Sequence, residues 1–415
     1  MAASQQTIWI FTELYYPEQT STGYLLTQTA EGLAAEFDVQ VITGPATNFY
    51  IRQKSPRREI RNGVMIYRCG GTSLNKDFLL RRLVNALTRT SSMLLKGLWL
   101  CRATDRMLVV TNPPLLPFAA LVIKLMRRTP FVLLIHDVYP EALVAANLCS
   151  SDSVLVKLGG AANRWLYRQA TAIVSLGRDM SRLIQAKLVP GDKRVRLIPN
   201  WAENEIVRPC PRKSNRLLEQ LGIRDRFVVL YAGNIGKTHG IDCLAEAARR
   251  LQNDRSIHFV VLGFGARKRW LEEFATAAKL DNITFVPPMP RQEQIVFLNA
   301  CDVALITFAP GMAGVSVPSR MYSQMAAGKP IIAATDAESE LAEVIREEDI
   351  GWVVAPGEPG ALVEAIRQAA GDPVRLEEFG KNAHRAASTK YTFEAADRSY
   401  RSLFRELFEP SRSAR

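Results

Sequence analysis

Four segments set glycines, hydroxyls, cations or a histidine directly after an apolar run, where a chain of alternating strands and helices opens its backbone to a ligand. The first is TELYYPEQTSTGYLLTQTAEGLAAE, in which Thr20-Ser21-Thr22-Gly23 opens an amphipathic helix. Gly23 permits close backbone approach, and the N–H groups of a first helical turn suit a phosphate or sugar oxygen. An ordinary Ser/Thr helix cap accounts equally for the same residues. The second is LLIHDVYPEA, where His136, one of four histidines, and Asp137 end an apolar strand. Asp137 is placed to orient His136 or to act as a base on a hydroxyl; a purely structural histidine is the alternative. Thr111-Asn112-Pro113-Pro114, after the preceding strand, forms the neighbouring wall.

The third segment, VVLYAGNIGKTHGIDCLAEAARRL, sets Gly233, Asn234, Gly236, Lys237, His239 and Gly240 between a buried strand and a helix. Glycines, a cation and a helix N-terminus together make a diphosphate cradle, with Lys237 offsetting charge on a leaving group. It is neither a Walker A nor a GxGxxG motif, and a glycine-rich turn with an exposed lysine is the plainer reading. In the fourth, FAPGMAGVSVPSRMYSQMAAGKPII, a small-residue loop of several backbone N–H groups runs to Val317. Pro318 and Ser319 then start a helix, and Arg320 adds a fixed charge facing the same crevice.

Strands must hold these segments in place. Short β-branched runs alternate with helix-length segments throughout, the pattern of parallel sheets. Strands are expected at Ile8–Phe11, Val39–Thr43, Met65–Arg68, Met107–Thr111, Phe131–Ile135, Ala172–Ser175 and Val195–Ile198. A second series runs through Phe227–Tyr231, Phe259–Leu262, Ile283–Val286, Val303–Thr307, Ile331–Ala334 and Trp352–Val354. A length of 415 residues exceeds one ordinary core. The expected fold is therefore α/β, with two Rossmann-like doubly wound parallel-sheet domains facing across a cleft. Residues 1–199 form a basic first domain and 200–390 a second, while the helix in 391–415 packs back on the first. Pro199–Arg212, with three prolines and no clear periodicity, reads as the linker.

Composition excludes several classes. Hydrophobic residues at 47% and charged residues at 23% place the chain among soluble globular proteins. The start, MAASQQTIWIF, lacks a basic region followed by an apolar one, so no secretory leader is expected. Six scattered cysteines without CxxC spacing point to reduced thiols in a cytoplasmic protein rather than to zinc or disulfides. Residues 1–200 hold 25 Lys/Arg against 13 Asp/Glu, so they carry the whole net charge of +12. Leu79 to Leu100 interleaves cations with Leu, Met and Trp99, as a helix lying on an anionic membrane does. A solvated basic face is the alternative reading. No module for nucleic acid is legible. On the membrane reading, reversing Arg81, Arg82 and Arg89 to Glu weakens binding to anionic liposomes.

In order, YYPE…STG, NPP, HDVYPE, IPNW, YAGNIG-K-x-x-G-ID and VPSRMYSQMAAGKPI resemble the retaining family 4 glycosyltransferases of the GT-B fold. The resemblance is to the bacterial branch that assembles colanic acid, capsule and O-antigen repeats, and it spans residues 15–332. It implies a nucleotide-diphosphate sugar as donor, Gly23 approaching that donor, His136 on the donor sugar and a basic pair at the diphosphate. The family's usual Arg and Lys stand at Asn234 and His239 here, which leaves Lys237 and Arg320 as replacements. Its two usual glutamates stand at Val315 and Ser323, so Tyr322 and Ser323 are the candidates for the ribose.

The implied reaction is sugar transfer with retention to a polyprenyl-diphosphate-linked or other sugar acceptor at the inner membrane face, without metal or cofactor. Closure about Pro199–Asn204 is expected to exclude water. Two rivals share the pattern: a nucleotide-sugar epimerase, and a non-catalytic nucleotide-sugar-binding protein.

Overall fold

The computed structural model describes residues 6–45, 55–72, 74 and 79–409, without the side chains of Leu79, Leu80 and Arg82. Two compact units emerge. One holds the described residues of Met1–Tyr139, Val154–Pro199 and Glu394–Arg415; the other holds Pro140–Ser153 and Asn200–Phe393.

The first unit is built on β1 (Thr7–Thr12), β2 (Asp38–Thr43), β3 (Arg58–Arg61), β4 (Val64–Arg68), β5 (Arg106–Val110), β6 (Phe131–Leu134), β7 (Ala172–Ser175) and β8 (Val195–Leu197). Their order is β3-β4-β2-β1-β5-β6-β7-β8. Every pairing is parallel except the β3–β4 edge. Central strands such as β5 and β6 are buried on both faces, which is why they read as unbroken apolar runs. The expected strand list lacks β3, whose REIR sequence alternates without a hydrophobic face. The signal for it was the turn: Asn62 and Gly63 have φ of 44° and 80°, the Asn-Gly geometry of a tight hairpin.

Helices Leu79–Leu100 and Leu116–Arg127 pack side by side over this sheet. Gly97 makes the approach possible, since a Cβ there would lie 2.5 Å from Ile123 Cδ1. Arg89 departs from the reading of Leu79–Leu100 as a helix whose interleaved cations face a membrane. Its side chain is buried and paired with Glu13 while its Nε donates to the Thr72 carbonyl. The Phe393–Phe408 helix lends its later turns to this unit: Phe408 stacks on Phe37 at 5.7 Å and Arg405 clasps Glu36 at 2.5 and 2.6 Å.

The second unit has β9 (Phe227–Asn234), β10 (Ile257–Phe264), β11 (Ile283–Val286), β12 (Val303–Thr307), β13 (Ile331–Ala334) and β14 (Gly351–Val354). All are parallel, in the order β11-β10-β9-β12-β13-β14. The order reverses at β9, between β10 and β12, which puts a topological switch point at the end of β9.

Pro199–Arg212 is not a loose tether. From Asn200 its residues are built into the second unit: Ala202 N–H donates to the Tyr391 carbonyl at 2.8 Å and Trp201 packs against Phe393 at 5.5 Å. Glu203, 5% exposed, is paired with Arg291. The segment lacks periodicity because it is fixed by individual side chains rather than by a regular element.

Candidate functional site

At the switch point β9 ends in Gly233-Asn234, and the loop through Gly240 leads into the helix Ile241–Arg250. Gly233 has φ +149°, and a Cβ there would lie 2.8 Å from Arg320 Nη1. The glycine therefore leaves room for a guanidinium carried by another helix. Arg320 opens the helix Arg320–Ala326, lies over the Tyr231 ring at 4.7 Å, and points Nη2 toward the Thr307 carbonyl at 3.5 Å. Tyr231 is anchored in turn, its hydroxyl donating to the Asn234 carbonyl at 2.6 Å. Nη1 of Arg320 is buried and has no hydrogen-bond partner among the described residues. A buried cationic N–H left open is costly unless an anion satisfies it.

Asn234 and His239 close the other side. A Cβ at Gly236 would sit 3.1 Å from both Asn234 Nδ2 and His239 Nδ1, so the three groups converge on that glycine. The His239 imidazole contacts Thr238 Oγ1 at 3.2 Å and lies against Phe308 at 5.7 Å. Burial first, and the Arg320 charge second, push its pKa down to about 3. His239 is thus a neutral hydrogen-bonding group at pH 7, and the fixed cations beside it are Arg320 and the exposed Lys237. Gly240, with φ +54°, passes so near Phe308 that a Cβ would lie 2.6 Å from its carbonyl oxygen.

The loop before Arg320 is less open than its sequence suggests. The N–H groups of Gly311 and Ala313 donate to Asp336 at 3.2 and 2.9 Å, so they are already satisfied. Val317 is buried, while Pro318 and Ser319 are half-buried. Tyr322 does not serve as a ribose surface: its side chain is fully enclosed and packs against Tyr391 at 5.3 Å. Ser323 sits beside a carboxylate from elsewhere in the chain, its Oγ donating to Glu203 Oε1 at 3.4 Å. Glu203 was missed because its partners, Arg291 and Ser323, are remote in sequence.

The first unit gathers its own group at the ends of β5 and β6. Thr111 Oγ1 accepts the backbone N–H of His136 at 3.0 Å and of Asp137 at 3.4 Å, which fixes the strand exit. Burial pushes the His136 pKa down to about 4, and Nε2 has no partner among the described residues. The ring is a neutral imidazole with one nitrogen open. Gly23 differs from expectation. Its N–H donates to Thr20 Oγ1 at 3.3 Å, so the helix cap takes the donor that a phosphate would need. Its missing Cβ is explained by Glu18, whose Cβ would be 2.9 Å away.

Among the described residues no group of three His, Cys, Asp or Glu is arranged to hold a metal ion. No described helix is long and apolar enough to cross a membrane.

Comparison with known proteins bears on both units. Residues 214–386 match the model of the glycosyl transferases group 1, and residues 23–201 that of the glycosyl transferase 4-like domain. The probable glycosyltransferase WbjE of Pseudomonas aeruginosa is 32% identical, across 70% of this chain and 72% of its own. The putative colanic acid biosynthesis glycosyl transferase WcaI of Escherichia coli K12 is 28% identical, across 86% and 90%. Among solved structures, sucrose-phosphate synthase from Thermosynechococcus elongatus superposes with a TM-score of 0.79 at 18% identity, over 97% of this chain and 99% of that one. Anabaena HepE in complex with UDP-glucose gives 0.72 at 15%, over 96% and 99%.

Proposed function

The chain belongs to the group 1 glycosyl transferases, with a 4-like first domain and the GT-B fold, and from that premise we propose that it transfers a sugar from a nucleotide-diphosphate donor with retention. The observation that carries the donor site is the open, buried Nη1 of Arg320 over Gly233, beside exposed Lys237. These two cations and the N–H groups leading into the Ile241–Arg250 helix suit a diphosphate. HepE, of the same fold, has been solved with UDP-glucose, which supports a nucleotide sugar here.

In the proposed reaction the bond from the anomeric carbon to the diphosphate oxygen breaks, and its electron pair leaves with the nucleoside diphosphate. Arg320 and Lys237 stabilise the charge that builds there. Neutral His239 and Asn234 donate hydrogen bonds to phosphate oxygens without adding charge. The acceptor hydroxyl forms its bond to the anomeric carbon on the face the diphosphate left, and its proton passes to a departing phosphate oxygen. His136, with Nε2 open, is assigned to a sugar hydroxyl, and Asp137 to the acceptor side. No metal takes part in this scheme. Relatedness to the putative colanic acid biosynthesis glycosyl transferase supports a role in bacterial exopolysaccharide, capsule or O-antigen synthesis, and the acceptor we propose there is a lipid-linked sugar at an anionic membrane surface.

The test incubates the purified protein with a panel of nucleotide sugars and a polyprenyl-diphosphate-linked sugar. Transfer with the anomeric configuration kept supports the proposal. Conversion of the donor without acceptor identifies an epimerase, and binding without turnover a non-catalytic protein; either result overturns it.

A further inference from the structure

Eleven of the eighteen large apolar side chains exposed among the described residues lie on three helices of the first unit: Leu79–Leu100, Leu116–Arg127 and Val154–Gln169. The helices follow β4, β5 and β6, whose crossovers all advance the same way across the sheet, so right-handed connections place them on one face. The middle helix packs against both others, and Lys124 Nζ reaches the Gln169 carbonyl at 2.5 Å. On the first helix Leu83 and Leu87 lie one turn apart and so do Leu95 and Trp99, the row winding about 160° around the axis from Leu83 to Trp99 at about 100° per residue. The six most exposed tips are Trp99 and Leu95, Leu125 and Met126 on the middle helix, and Val154 and Leu155 on the third, each 64% exposed or more. A patch this apolar is unusual on a surface that faces only water.

Charge narrows what covers it. The three helices, 22, 12 and 16 residues long, carry nine Lys or Arg and no Asp or Glu. Arg89 turns inward to Glu13, but Arg127 on the middle helix and Lys157, Arg164 and Arg168 on the third are exposed on the same helices as the apolar tips. A second copy of this face would bring cations against cations, and a nucleic acid offers no partner for Leu and Met tips. We propose that the three-helix face docks on an anionic lipid bilayer, its apolar tips entering the acyl boundary and its cations holding headgroup phosphates. Its biological use rests on the lipid-linked acceptor proposed above, whereas its geometry stands alone.

Vesicles of equal parts phosphatidylglycerol and phosphatidylcholine, and of phosphatidylcholine alone, test this by cosedimentation with the full chain. The wild type is expected to bind the anionic vesicles and to lose binding at high salt. Leu95→Glu/Trp99→Glu/Leu155→Glu should weaken that binding about tenfold or more, since each tip loses its apolar burial. Lys157→Glu/Arg164→Glu/Arg168→Glu should weaken it on anionic vesicles with a shallower salt dependence. Nucleoside diphosphate binding, measured on the same proteins, should not change and so reports an intact fold. Wild-type affinity in both variants overturns the proposal, as does a dimer that the apolar variant dissolves. Vesicle binding without nucleotide binding would sink the donor site and leave the docking face standing. The reverse outcome would sink the face alone.

Discussion

The proposed donor site depends most on Arg320. A lysine cannot reproduce its geometry, because the planar guanidinium both lies over Tyr231 and leaves one N–H open beside Gly233. Arg320→Ala and Lys237→Ala are each expected to lower kcat/KM by about 10²–10³, the scale for losing one donor to a developing oxyanion. Arg320→Lys should recover little of that loss. Rates near wild type in either alanine variant would reject this diphosphate site. His239 shows why a family pattern needs the surrounding structure: it stands where the resemblance implies a lysine, yet burial and Arg320 keep its ring neutral. The sequence offers these positions as candidates, but it could not show which are charged.

The site is shaped at the level of elements by how closely two strand ends run. A Cβ at Gly263, at the end of β10, would lie 1.9 Å from the Gly233 carbonyl oxygen, and Gly263 has φ +155°. Gly263→Ala should therefore destabilise the second unit by about 3 kcal/mol or more and spoil donor binding with it, as thermal unfolding and nucleotide titration would reveal. A Tm within a few degrees of wild type would contradict the packing described. The segment after Pro199 offers a second case. Glu203 and Arg291 are buried together, with side chains 2% and 9% exposed. Removing one partner strands the other, so Glu203→Ala should cost about 3–5 kcal/mol. Glu203→Ala/Arg291→Met should recover part of that cost; a double variant no more stable than Glu203→Ala would refute the pairing as the cause.

Three histidines tie the stability of the whole molecule to pH in one direction. Burial is the main cause that pushes His136 and His258 down to about 4 and His239 to about 3, all below the ordinary value of 6.5. The unfolded chain takes up a proton on each near 6.5, and the folded chain does not until much lower pH. Stability present above pH 6.5 is then lost as pH falls toward 4, by about 1.4 kcal/mol per histidine for each pH unit. Unfolding followed by denaturant from pH 7.5 to 5 should show that slope, and His258→Gln should make it shallower. A flat profile would mean that these rings are protonated in the fold. The asymmetric charge is a molecular property of the same kind: the whole excess lies in residues 1–200, where the apolar three-helix face also lies.

Sequence alone determined the two series of strands, because a parallel strand buried on both faces must be written in continuous apolar residues. It also determined the reaction family, since the ordered motifs at the strand ends are local in the chain. Only the tertiary structure decided which donors and charges remain open. It closed the Gly23 N–H with Thr20, closed Gly311 and Ala313 with Asp336, enclosed Tyr322, and turned Arg89 inward. It also built the Glu203–Arg291–Ser323 cluster from segments far apart in the chain. The reason is physical: a group is available to a ligand only if no nearer partner satisfies it, and most of those partners come from distant parts of the chain.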